Sequence, residues 1–170
     1  MQPIDRLLAY EEIRQLVARY ALAVDSRDLD ALVALFVDDV QVGRESAGRD
    51  ALRVEFTRTL SEVGVTVLTV GTHVIDLVDA ESATGSVYCH GEIEVEDRWV
   101  RQAILYRDTY AWRAGHWYFV RRRHELWYGA PAELNPLTLP SANWPASTVG
   151  RGTVPECWET WREFRAATGG

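Results

Sequence analysis

The chain has 170 residues and a net charge of −7. That is the size of one domain burying roughly 70% of its unfolded surface, with a charge balance that excludes a strongly basic nucleic-acid-binding surface. Cys89 and Cys157 show neither metal-ligand nor redox spacing and follow no signal peptide, which points to a reducing cytoplasm, and no apolar run approaches the ~18 residues of a membrane span.

From Ile4 to Val24 the apolar residues Ile4, Leu7, Leu8, Ile13, Leu16, Val17, Tyr20, Ala21 and Val24 form one helical stripe, with Pro3 suited to the helix start. Asp25 falls in the last turn, where the helix dipole disfavours a carboxylate. Asp28 is placed to cap a short second helix carrying Leu29, Leu32, Val33, Leu35 and Phe36. Val40 to Val42 reads as a short strand. A third helix starts near Arg49 with Leu52, Phe56, Leu60 and Val63 on one face, and Gly64 stands where a C-terminal glycine cap belongs.

From Val65 the pattern becomes β: runs from Val67 to Leu77 and from Gly85 to Val95, then a long hairpin from Trp99 to Tyr128 turning at Arg113-Ala114-Gly115-His116. Helices followed by an antiparallel meander define an α+β domain, expected as a curved sheet closed by helices into a cone whose mouth is a pocket. The boundary is drawn at residue 128. Beyond it, five of the six prolines make a tail unsuited to sheet. The tail ends in a short helix with Thr153 and Glu156 as a capping box and Trp158, Trp161 and Phe164 along one side, and it is expected to pack on its own or a neighbouring subunit.

Two readings stand for each chemistry-bearing residue. Asp25 is a solvated turn carboxylate or a pocket group; His73, alternating with Ile75 and Leu77, is a satisfied core histidine or a base. If helix 1 caps the cone, Asp25 can accept a hydrogen bond from His73 and leave the other ring nitrogen free. Tyr88, His90 and Glu92 alternate on one strand face, a polar pocket wall or a solvent face, read as pocket, and Tyr106 and Tyr110 share a face with Ile104 and either stabilise an oxyanion or satisfy their hydroxyls in the core. Arg121, Arg122 and Arg123 alternate between faces and form no single basic patch. No ligand spacing supports a metal site from His73, Cys89 and His90.

The run Val24-Asp25-Ser26-Arg27-Asp28, then Leu35-Phe36-Val37-Asp38-Asp39, Gly48-Arg49-Asp50-Ala51-Leu52, Gly71-Thr72-His73 and Gly115-His116-Trp117-Tyr118-Phe119 resembles the SnoaL-like branch of the NTF2-like superfamily, nearest to scytalone dehydratase and hexachlorocyclohexane dehydrochlorinase, over residues 4 to 128. The resemblance implies a cofactor-independent lyase or isomerase with an Asp25–His73 dyad and Arg122 on the last strand. Tyr20 stands where the dehydrochlorinase has a lysine, and His90 is the nearest candidate for the second histidine of scytalone dehydratase. Tyr20, Tyr88, His90 and Tyr106 are the expected contacts to a small hydrophobic or aromatic ligand. The alternative is a non-catalytic binding or accessory module, since fold does not imply function, and a hydrogen bond between Asp25 and His73 separates the two. The resemblance further implies a homo-oligomer, a trimer before a dimer, associating through an outer sheet face that carries Trp117 and Trp127 if Arg122 points inward.

Overall fold

The structure, a computed structural model, describes residues 2–169. Helix α1 (Pro3–Ser26) buries Ala9, Ile13, Leu16, Val17, Ala21 and Val24, while Ile4, Leu7 and Leu8 of the expected stripe stand exposed. The helix ends on Arg27, whose φ of 57° is left-handed, a conformation that costs a non-glycine residue about 1 kcal/mol or more. Three hydrogen bonds from its guanidinium, to the carbonyls of Val24 and Gly64 and the hydroxyl of Thr66, hold it there. Helix α2 (Leu29–Ala34) is capped by Asp28 Oδ1, which accepts from Ala31 N at 2.9 Å. A two-stranded hairpin, β1 (Gln41–Val42) and β2 (Ser46–Ala47), leads into α3 (Arg49–Ser61). Gly64 is not the expected cap: α3 closes on Glu62 in right-handed backbone. Gly64 leaves room for the Glu94 side chain, whose Oε2 would lie 2.0 Å from an added Cβ.

The main sheet is an antiparallel meander of β3 (Thr66–Leu77), β4 (Ser82–Val95), β5 (Arg98–Arg113) and β6 (His116–Pro131), with the β6 edge bridged at Phe119 by Phe36. The β5–β6 turn has positive φ at Ala114 (51°) and Gly115 (88°), as tight hairpins require. Helix α1 packs across one face, here called inner, against β3 and β6. On β4 that face shows Ala83, Gly85, Val87 and Cys89, and on β5 Ile104, Tyr106, Asp108 and Tyr110, all in strict alternation.

Two strands break that alternation. In β3 the register shifts between Val70 and His73, so Gly71 and Thr72 together face Tyr88. The inner set passes from Thr66, Leu68 and Val70 to His73, Ile75 and Leu77. In β6 extra residues at Val120 and Trp127 do the same, because a β-bulge inserts one residue and inverts every side chain beyond it. Trp117 is therefore not on the outer face: the bulge at Val120 gives it the same face as Arg122, and it is buried in the core with Phe119. Trp127 is outer and exposed.

Strand β6 continues to Pro131, past the expected boundary at 128. The tail then makes a 3₁₀ turn (Pro136–Thr138) and ends in α4 (Glu159–Thr168). The helix starts on Trp158, so Thr153 and Glu156 form no capping box; they lie in the turn before it, where Cys157 N donates to Thr153 O at 2.9 Å. Helix α4 folds back on its own chain. Phe164 packs with Ala23, Val24, Leu32 and Leu60, and the Thr160 hydroxyl donates to Ser26 O at 2.8 Å. A buried Phe truncated to Ala typically loses about 3–5 kcal/mol. Phe164→Ala should fall in that range in urea unfolding, and an unchanged midpoint would show that α4 does not stabilise the domain.

Candidate functional site

Asp108 and Arg122 are direct cross-strand partners on the inner face. Arg122 Nε donates to Asp108 Oδ1 at 2.9 Å and Nη2 to Oδ2 at 2.6 Å, with side chains only 5% and 0% exposed. The fork geometry makes Asp108 a pure acceptor. Burial opposes the charge of Arg122, yet its pKa is raised because the Asp108 carboxylate outweighs that cost. Three rings enclose the guanidinium: its Cζ lies 4.3 Å from the centroids of Tyr20 and Tyr106 and 4.4 Å from that of Phe119. Its Nη1 makes no hydrogen bond among the described residues. The fully enclosed side-chain atoms without partners among the described residues are Arg27 Nε and Trp161 Nε1.

Tyr110 extends the network. Its hydroxyl donates to Asp108 Oδ2 at 2.7 Å and lies 3.2 Å from His73 Nε2. A phenol has one proton, here given to a carboxylate that can only accept. The Tyr110 oxygen must then accept from His73, which carries its proton on Nε2 and leaves Nδ1 as a lone pair. Gly85 makes this reach possible, since a Cβ there would sit 2.9 Å from the Tyr110 hydroxyl and 3.1 Å from His73 Nε2. Burial first, then the charges of Arg122 and Arg14, pushes His73 down to about 4 against the pull of Asp108. The ring is neutral at physiological pH.

The expected Asp25–His73 pair is not formed. Asp25 Oδ1 accepts from the Thr66 hydroxyl and Oδ2 from Leu68 N, both at 2.9 Å, which pins the end of α1 to the start of β3. His73 lies five residues beyond Leu68, at most about 16 Å along a strand rising ~3.3 Å per residue. Burial raises the Asp25 pKa against its hydrogen bonds and the charge of Arg27. Burial pushes the Cys89 thiol up to about 11. Burial likewise raises the phenols of Tyr20 and Tyr106 beside it.

Tyr88, His90 and Glu92 do not line this interior. Ala83, Gly85, Val87, Cys89 and Gly91 are the buried residues of β4, so their neighbours in sequence point outward. Tyr88 stacks on Trp127, and Glu92 accepts from the Trp99 indole at 3.0 Å and pairs with Arg101. Cys89 and His90 consequently face opposite sides, and no group of three His, Cys, Asp or Glu among the described residues could hold a metal ion. His116 is exposed in the turn. Asp108 and His124 went unremarked in the sequence, although the alternation Tyr106, Asp108, Tyr110 sets a carboxylate on an apolar strand face and so demands a buried cation. The expected mouth of the cone is filled by Tyr20, Phe36, Phe119 and Arg122. A groove of about 700 Å³ opens elsewhere, between α1, α2 and the β5–β6 turn, beside Leu16, Arg19, Leu35 and Trp117.

A family model described as a SnoaL-like domain matches residues 5–123. Among solved structures, a putative scytalone dehydratase from Novosphingobium aromaticivorans superposes with a TM-score of 0.68 at 20% identity, covering 79% of this chain and 94% of that one. The hexachlorocyclohexane dehydrochlorinase LinA-type3 from Novosphingobium barchaimii gives 0.65 at 22% identity, covering 78% and 95%. An NTF2-like protein with a cystatin-like fold from N. aromaticivorans gives 0.59 at 27% identity, covering 72% and 84%. No functionally curated protein matches the chain in sequence.

The His73 environment has a measurable consequence. Unfolded, the ring takes up its proton near 6.5; folded, near 4. Between those values the unfolded chain binds more protons, so stability is complete above pH 6.5 and falls as pH drops toward 4. His73→Gln keeps a donor for Tyr110 and removes the titration. Urea midpoints between pH 6.5 and 4.5 should fall less steeply in the variant; equal slopes would mean that the folded ring protonates normally.

Proposed function

The chain belongs to the SnoaL-like domain family, and from that premise we propose that it is a cofactor-independent enzyme of the lyase or isomerase type, abstracting a carbon-bound proton from a small hydrophobic or aromatic substrate. The dehydratase and dehydrochlorinase names of two structural relatives support this class of chemistry. One observation carries the reading: a buried guanidinium, Arg122, is locked by Asp108 among three aromatic rings on the inner sheet face.

In this assignment Asp25 is the base. Its raised pKa strengthens it as a proton acceptor, and each oxygen retains a lone pair beyond the one hydrogen bond it accepts. Arg122 Nη1, with the hydroxyls of Tyr20 or Tyr106, receives the oxyanion that forms as the C–H electron pair moves onto a carbonyl. Expulsion of a neighbouring leaving group completes an elimination; return of the proton elsewhere completes an isomerisation. His73 is a positioning residue that holds Tyr110, and through it Asp108, in place. We place the protein in the cytoplasm, a reading supported by its two unpaired cysteines.

A second reading, a non-catalytic binding module, is favoured by the missing Asp25–His73 bond and the filled interior. A panel of β-hydroxy and β-halo carbonyl compounds with aromatic or alicyclic bodies decides between them. General-base removal typically costs 10²–10⁴-fold, so Asp25→Asn should lose that factor in kcat and His73→Gln about tenfold or less. The reverse ranking would return the base to His73. Binding of panel compounds, seen as thermal shifts, with no turnover by the wild type would establish the binding module.

A further inference from the structure

The polar and charged residues most deeply buried among those described are Asp108, Arg27 and Thr66. Asp108 has Arg122 as its counter-charge. Arg27 is only 2% exposed, yet its guanidinium donates to two carbonyls, those of Val24 and Gly64, and to the Thr66 hydroxyl, none of them charged. A buried cation in such surroundings is costly unless a carboxylate compensates it.

The Thr66 hydroxyl is the route to that carboxylate. Its oxygen accepts from Arg27 Nη1 at 2.9 Å, and because a guanidinium only donates, the one hydroxyl proton is directed to Asp25 Oδ1, also at 2.9 Å. The relay runs from cation to hydroxyl to carboxylate. Leu68 N holds the other oxygen of Asp25 at 2.9 Å, so the carboxylate is fixed on both sides. Arg27 favours the ionised form of Asp25, and Asp25 favours the charged form of Arg27. From β4, the Cys89 thiol feels the Asp25 charge.

Helix α4, beyond the residues 5–123 that the family model matches, closes the corner. The Phe164 ring centroid lies 5.9 Å from Arg27 Cζ, and the Thr160 hydroxyl donates to Ser26 O, between Asp25 and Arg27 in the chain. Arg165 of the same helix is the further charge acting on Arg27, and it opposes the guanidinium.

We propose that Arg27 is a positioning residue for Asp25, acting through the Thr66 hydroxyl to keep the buried carboxylate ionised and held in one orientation. The inference rests on the assignment of Asp25 as the base. A buried carboxylate without this support would retain its own proton and could take none from carbon; with it, Asp25 stays ionised while burial keeps it strongly basic.

Carboxyl ¹³C NMR of the full chain labelled at aspartate, with the Asp25 signal identified by its loss in Asp25→Asn, reads the carboxylate without a substrate. Thr66→Val removes the hydroxyl at nearly the same shape and should raise the Asp25 midpoint by about one pH unit, while Thr66→Ser should restore it. Arg27→Gln should also raise it, and the double variant should shift by less than the sum, since both changes cut one relay. If Arg27→Gln fails to fold, the two Thr66 variants decide. An unmoved midpoint in Thr66→Val, or additive shifts, would overturn the relay. With any panel compound that turns over, the acid limb of kcat/KM should rise with the midpoint in Thr66→Val; a moved midpoint with a fixed limb would leave the relay standing and remove Asp25 as the base.

Discussion

The Asp108–Arg122 pair is the constraint on which the inner face depends. A guanidinium and a carboxylate with side chains 5% and 0% exposed carry a desolvation cost of several kcal/mol per ion, recovered only with ideal geometry and every remaining polar atom placed. The fork supplies the geometry, Tyr110 takes the outer lone pair of Oδ2, and three rings supply a polarisable wall. Losing either partner would strand a charge and cost about 3–5 kcal/mol. Tyr20 is thus a wall of a charge site as well as an apolar residue of α1, and Gly85 is the gap that lets Tyr110 reach His73.

That pair exists because β6 is bulged. Asp108 faces inward by simple alternation with Tyr106 and Tyr110, but Phe119 and Arg122 have opposite parity and could not both face inward on a regular strand. The extra residue at Val120 reconciles them. The bulge in β3 does the same for His73, placing it on the face of Thr66, Leu68 and Val70 and not with Thr69. Both bulges spend local ladder regularity on the aim of one polar side chain, as bulges beside functional sites do.

This divides what the sequence could disclose from what it could not. Element order, the α2 cap at Asp28, the hairpin turn at Ala114-Gly115 and the family were legible because each rests on residues close in sequence. The inward Arg122 was reached through the family resemblance. The position of Trp117 relative to it was misjudged because counting by two across an unseen bulge gives the wrong face. The wall at Tyr88, His90 and Glu92 was misjudged for another reason: alternation gives two faces without naming which is covered, and the burial of Val87 and Cys89 decides it. Asp25 and His73 share the side of the sheet that α1 covers, but their separation along β3 depends on where α1 is tethered, which only the Thr66 and Leu68 hydrogen bonds reveal.

The electrostatics of the interior favour chemistry that moves a charge over chemistry that creates one. Asp108 and Arg122 cancel, and burial raises the pKa of Asp25 against its hydrogen bonds and the charge of Arg27. Proton transfer from a neutral substrate to Asp25 keeps the total charge of the interior constant. In the proposed reaction the negative charge would leave a carboxylate that burial disfavours and arrive on an oxygen beside a preorganised guanidinium, so the step would need little reorganisation of surrounding dipoles. A histidine base at His73 would instead create a cation where burial holds its pKa near 4, together with an anion some distance away. The same burial that weakens His73 as a base strengthens Asp25, and this asymmetry is the physical ground for assigning proton abstraction to the carboxylate.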